Sequence, residues 1–178
     1  MNYFIQFLTV FRILISPVIF LLITIFDQLG WSIFLFLMAS ITDYWDGYLA
    51  RKYSLTSEIG EILDPIADKI LLVFMLIAIS IYSGSIFLAF ISSLMIAREF
   101  WVSALRDFNT RKNNYSATKV TFIAKLKTTT QFFAIFLFIF GFYLNHALII
   151  FMANFVLFAS FILSVQSGLI YTVNSLKR

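Results

Sequence analysis

Six of the chain's nine acidic residues, Asp43, Asp46, Glu58, Glu61, Asp64 and Asp68, crowd between positions 43 and 68. Asp43 and Asp46 stand at i, i+3 and Asp64 and Asp68 at i, i+4, spacings that put each pair on one face of a helix. A hairpin between two such helices brings four carboxylates together. Left unneutralised at the edge of a bilayer, they would repel one another at a cost of several kcal/mol. Divalent cations relieve that best, and an all-oxygen ligand set favours Mg2+ or Mn2+ over zinc, which prefers histidine or cysteine. Four carboxylates suit two ions better than one. The chain has no cysteine, which excludes disulfides and thiolate chemistry, and a single histidine, His146, predicted on the opposite membrane face. The competing reading makes the aspartates loop charges paired with Arg51, Lys52 and Lys69. The regular spacing, inside otherwise apolar runs, argues for metal.

A second set of polar residues lies further along. Arg98 and Glu99 interrupt an apolar run, Arg106 follows at its end, and Lys125, Lys127, Thr128, Thr129, Thr130 and Gln131 open the next one. Two or three cations with neighbouring hydroxyls are what a phosphate monoester needs, so this half of the chain is expected to bind an anionic small molecule. The plainer alternative makes Arg98 and Glu99 an ion pair between helices and the lysines markers of the membrane boundary. Trp31, Trp45, Trp101 and the tyrosines read as interfacial anchors.

These residues need helices in lipid to position them. The chain of 178 residues is 61% hydrophobic and 12% charged, against roughly 25% charged in an average soluble domain. Apolar segments at 4–26, 29–48, 62–82, 86–105, 121–144 and 147–173 have the length of membrane helices. The links near Arg51-Lys52, at 107–120 and at Lys177-Arg178 carry most of the Lys and Arg, whereas those near Asp27, Gly84 and Asn145 carry none. The positive-inside rule then places both termini and the aspartate cluster on the cytoplasmic side. The prediction is an all-α integral membrane protein, a six-transmembrane-helix bundle forming one catalytic domain over 1–178. The first apolar stretch is retained as a mature helix because it is too long for a signal-peptide core. No nucleic-acid partner is expected. A cation carrier using intramembrane carboxylates is the alternative from another functional class.

The run Asp43-Tyr-Trp-Asp46-Gly47-Tyr-Leu-Ala50-Arg51, eight further residues, then Gly60-Glu-Ile-Leu-Asp64-Pro-Ile-Ala-Asp68 fills every fixed position of the D-x-x-D-G-x-x-A-R-(x8)-G-x-x-x-D-x-x-x-D signature. In this the chain resembles the CDP-alcohol phosphatidyltransferase family. The resemblance implies that Asp43, Asp46, Asp64 and Asp68 bind two divalent metals at the pyrophosphate of a CDP-lipid, and that Asp68 is also the general base for the acceptor alcohol. It implies that Gly47, Ala50, Arg51 and Gly60 contact the CDP-lipid. The stretches Met95-Ile-Ala-Arg98-Glu99, Ser103-Ala-Leu-Arg106 and Ala124-Lys125-Leu-Lys127-Thr128 are similar to the bacterial branch whose acceptor is sn-glycerol 3-phosphate. Arg98, Arg106, Lys125, Lys127 and Thr128 are then the expected acceptor-phosphate ligands. Leu8-Thr9-Val-Phe-Arg12 with Pro17 resembles that branch's opening, which adds Thr9 to the CDP-lipid contacts and keeps Asn2 and Arg12 as weaker candidates. Ile5-Gln6 departs from the Pro-Asn often found there. The resemblance implies transfer from CDP-diacylglycerol to glycerol 3-phosphate at the bacterial inner (cytoplasmic) membrane by a homodimer. Phosphatidylglycerol, inositol phosphate or serine are the alternative acceptors.

Overall fold

The computed structural model describes residues 2–53, 58–112, 114 and 122–176, with side chains at 7–42, 63–112, 114 and 122–176. All regular structure among these residues is helical: α1 (Asn2–Thr24), α2 (Leu29–Tyr53), α3 (Glu58–Ser83), α4 (Ile86–Arg111), α5 (Phe122–Tyr143) and α6 (Ala147–Leu176). At 1.5 Å per residue even α5, with 22 residues, reaches about 33 Å, enough to cross a hydrocarbon core of about 30 Å. Among the described residues, five of the helices are both long and apolar enough to span a membrane. In α2 the described apolar part is Leu29–Thr42, and Asp43, Asp46, Arg51 and Lys52 follow in its second half. The fold is an integral membrane helical bundle.

The chain divides into two compact units, 1–84 with 142–145 and 85–141 with 146–178. In the first, α1 packs on both α2 and α3. Ile19, Ile23, Phe36, Ala39, Leu71, Met75, Leu76 and Ile79 are buried there, and Phe20 meets Phe74 edge to face with ring centroids 5.8 Å apart. The turn after α1 places Asp27 in the left-handed region (φ 53°). Gln28 N–H donates to the Leu22 carbonyl at 2.8 Å, closing the kind of C-cap that usually takes glycine or asparagine. The Tyr82 hydroxyl, from the end of α3, donates to the Asp27 carboxylate at 2.7 Å and holds that turn in place.

In the second unit α4 packs on α6, and burial is inverted relative to a soluble protein. Phe87, Phe90, Phe151 and Phe155 are exposed, whereas Lys127, Gln131, Ser160, Ser164 and Ser167 are buried. Lipid is as apolar as these phenylalanines, so close packing and internal hydrogen bonds hold such helices together. Hydroxyls across both units bond back to their own helices: Ser16 to the Arg12 carbonyl, Ser40 to Phe36, Ser80 to Leu76 and Thr172 to Gly168. Few hydroxyls then need water.

α4 runs past the expected segment end at 105 and reaches Arg111. Asn109 is buried, and its amide donates to Ser175 on α6 at 2.6 Å, which carries both helices beyond their apolar runs. An exposed Asp107–Arg111 pair at i, i+4 adds little to this.

Candidate active site

Asp64 and Asp68 lie in the first half of α3, one helical turn apart. Pro65, between them, lies inside α3 beyond its first turn and so removes one N–H from the helix's own hydrogen-bond ladder. One turn apart on α1, Thr9 and Arg12 face them. Thr9 is fully buried, and its Oγ1 donates to Asp64 Oδ1 at 2.6 Å. The Arg12 guanidinium is also fully buried and makes a charge-assisted bond and ion pair with Asp68 Oδ1. The Arg12 side chain is 1% exposed and that of Asp68 is 39% exposed. The cation is therefore sunk beneath a carboxylate that still opens outward. The packing of α1 on α3 thus serves to orient two acidic groups.

A carboxylate offers about four acceptor sites, and the contacts from Thr9 and Arg12 use one oxygen each of Asp64 and Asp68. Partners of this kind hold metal-ligating carboxylates in register. Two oxygen-only side chains, fixed one turn apart and reachable from outside, suit a hard divalent cation. The described residues contain no group of three or more acidic, histidine or cysteine side chains. Asp43, Asp46, Gly47, Ala50 and Arg51 fall within α2 and Gly60 within α3, but their side chains, like that of Asn2, lie outside the described residues. Sequence reasoning ranked Arg12 as a weak candidate and did not foresee its bond to Asp68. The signal was its spacing of three from Thr9, which matches one turn of a facing helix.

In the second unit the expected anion-binding residues separate into two groups. Arg98 and Lys127 are brought together by Glu99, whose Oε1 accepts from Arg98 Nη1 at 3.2 Å and from Lys127 Nζ. Arg98 reaches α6 as well, with Nε to the Ser164 carbonyl at 2.8 Å and Nη2 to Ser167 Oγ at 2.5 Å. Gly168 lets it pass, since a Cβ there would stand 3.2 Å from Arg98 Nε. Arg106, Lys125 and Thr128 are exposed instead. Lys125 and Lys127, two residues apart, point to opposite faces of α5, as the helical period requires. Thr128 donates to its own helix, to the Ala124 carbonyl at 3.1 Å. Gln131, one turn beyond Lys127, is fully buried, and neither end of its amide has a hydrogen-bond partner among the described residues.

A cavity of about 870 Å³ lies at the other end of the first unit, lined by Asp27, Trp31, Phe34, Tyr82, Phe142 and Tyr143 among others. None of the candidate catalytic side chains lines it.

Comparison with known proteins bears on the same residues. The family model described as CDP-alcohol phosphatidyltransferase matches residues 5–166. The chain belongs to the CDP-alcohol phosphatidyltransferase family. Relatives named CDP-diacylglycerol--glycerol-3-phosphate 3-phosphatidyltransferase include that of Wigglesworthia glossinidia brevipalpis, 39% identical over 131 residues covering 72% of each chain. Those of Salmonella choleraesuis and Escherichia coli K12 are 35% and 34% identical over 132 residues, covering 72% of this chain and 71% of theirs. As a member of this phosphatidyltransferase family, the chain carries the whole aspartate signature inside the matched region.

Proposed function

We propose that this chain transfers the phosphatidyl group of CDP-diacylglycerol to sn-glycerol 3-phosphate, forming phosphatidylglycerol phosphate and CMP. The observation that carries the reading is the pair Asp64 and Asp68, held by Thr9 and Arg12 within a complete family signature. The names of the relatives support the same donor and acceptor.

Asp43, Asp46, Asp64 and Asp68 would hold two divalent ions, Mg2+ or Mn2+, in line with the metal dependence general in the family. Such ions neutralise a pyrophosphate and stabilise the charge on a departing nucleotide. Asp68, oriented by Arg12, takes the proton from the acceptor hydroxyl. The hydroxyl oxygen forms a bond to the β-phosphorus as the phosphorus–oxygen bond to CMP breaks, and CMP leaves with the electron pair. Holding both substrates beside the carboxylates supplies the positioning that such a displacement needs. Gly47, Ala50, Arg51 and Gly60 are assigned to the CDP-lipid. Arg98 and Lys127, brought together by Glu99, are assigned to the acceptor's phosphate, whereas the exposed Arg106, Lys125 and Thr128 stand apart from that pair.

The basic links near Arg51 support a site at the cytoplasmic face of the bacterial inner membrane, with both termini on that side. One catalytic domain acting as a homodimer completes the proposal. The test is release of CMP by protein purified into lipid nanodiscs. Turnover should require CDP-diacylglycerol, glycerol 3-phosphate and Mg2+ or Mn2+, and inositol phosphate, serine or phosphatidylglycerol should not replace the acceptor. Turnover in EDTA, or preference for another acceptor, would refute the corresponding part.

A further inference from the structure

The cavity of about 870 Å³ in the first unit takes no part in the reaction proposed above. Tyr82, in its wall, stands about 21 Å along α3 from Asp68 at 1.5 Å per residue. Every residue that lines the cavity belongs to the first unit. Five of the nine are aromatic, Trp31, Phe34, Tyr82, Phe142 and Tyr143, and a single one, Asp27, is charged. The rings do not share a plane: Trp31 meets Phe34 edge to face with centroids 6.1 Å apart, and Tyr82 tilts 45° to Phe142 at 4.8 Å. Tyr143 packs on the backbone of Gly30, 3.4 Å from where a Cβ would stand. The Asp27 carboxylate accepts from the Tyr82 hydroxyl, and among the described residues no cation pairs with it. The links near Asp27, Gly84 and Asn145 carry no Lys or Arg. Asparagine would suit the left-handed backbone at this turn and would accept the same bond from Tyr82. What aspartate adds is the negative charge.

We propose that this cavity binds a compact ammonium group, carried by a lipid headgroup or by a free amine. A cation is drawn to the electron-rich faces of aromatic rings, most strongly to tryptophan and tyrosine, and a neighbouring carboxylate supplies the opposite charge. Other ligand classes fit the lining less well. A hard divalent ion wants six or more oxygen ligands, and here a single carboxylate stands among rings. An anion meets Asp27 as a like charge and finds no Lys or Arg in the wall. An uncharged apolar ligand leaves the carboxylate without a partner. The cavity lies where α1 ends at Thr24, α2 begins at Leu29 and α3 ends at Ser83, which is the level at which lipid headgroups meet membrane helices. Aromatic residues that serve only as interfacial anchors need neither a cavity nor a carboxylate beside them. The proposal goes beyond the transferase reading and does not depend on the metals or the acceptor.

Choline and ethanolamine are the soluble probes. The controls are the uncharged isostere of choline, in which a tert-butyl group replaces the trimethylammonium, and sodium chloride at equal ionic strength. Full-length protein in phosphatidylglycerol nanodiscs should show a saturable rise in unfolding temperature with either amine and none with the isostere or the salt. Asp27→Asn keeps the turn and the bond to Tyr82, and should raise the half-saturating amine concentration about tenfold, because the lost charge lies in an open, partly screened site. Trp31 is 62% exposed, so Trp31→Leu spares the core, and it should raise the same concentration about threefold to tenfold. CMP release without amine should stay within about twofold of wild type in both variants, since the cavity is remote from Asp68. Nanodiscs that contain phosphatidylethanolamine distinguish the source of the amine. A lipid-borne amine fills the cavity beforehand, so the choline response of the wild type shrinks there, whereas an undiminished response assigns the site to free amines. Equal responses to choline and its isostere, wild-type half-saturation in Asp27→Asn, or no response to either amine in either lipid would overturn the proposal.

Discussion

Replacing Arg12 with methionine tests whether the buried guanidinium exists to aim Asp68. Removing one partner of a fully buried ion pair costs about 3–5 kcal/mol, and a fully exposed pair is worth under about 1 kcal/mol. Arg12 is at the first limit and Asp68, at 39% exposure, is between the two. The loss of orientation at the carboxylate should therefore be about 2 kcal/mol, a factor of roughly 30 in rate. Methionine fills most of the space of the arginine stem, which limits the cavity contribution. The assay is CMP release in nanodiscs at saturating metal, with kcat and the KM for glycerol 3-phosphate measured separately. kcat should fall about 30-fold with little change in KM, because Arg12 acts through the proposed base Asp68. In a double-mutant cycle with Asp68→Asn, Arg12→Met should cost almost nothing further. Wild-type kcat in Arg12→Met, or full additivity in the cycle, would refute the reasoning.

Thr9→Val removes the 2.6 Å bond to Asp64 and keeps the shape of the side chain. The Mg2+ concentration for half-maximal CMP release should rise about 10- to 100-fold, as for other partners that orient metal ligands. Gln131→Met should stabilise the protein by about 1–3 kcal/mol, read as a higher unfolding temperature, since both ends of the buried amide lack partners among the described residues. Gly141→Ala should cost about 1–3 kcal/mol in the same measurement, because its Cβ would lie 2.9 Å from Ile150 Cγ1 and 3.2 Å from the Ile150 backbone nitrogen.

The helices were readable because lipid imposes a length and an apolarity on every span, and the runs from 29 and 86 begin at Leu29 and Ile86, the first residues of α2 and α4. The end of α4 was not readable, since a tertiary bond from Asn109 to Ser175 sets it and no local pattern shows that bond. At the site, helical spacing alone paired Asp64 with Asp68. It left open what lies opposite them, because the match of Thr9 and Arg12 depends on how α1 slides against α3. The cations divided for a similar reason. Residues 125 and 127 look equivalent as charges in a basic stretch, yet the helical period turns Lys127 inward to Glu99 and Lys125 outward. The possibility that Arg98 and Glu99 pair was visible from their position in an apolar run. That Lys127 joins them was not.

The bond between Tyr82 and Asp27 links residues 55 positions apart, and this orders events during synthesis. A ribosome delivers the α1–α2 hairpin to the insertion machinery well before α3 has been made. The left-handed turn at Asp27 must therefore form without its tyrosine, and receives that lock only when the third crossing returns to the same membrane surface. Docking of α3 on α1 also brings Asp64 and Asp68 against Thr9 and Arg12. Integration of the third helix and assembly of the acidic site are one event.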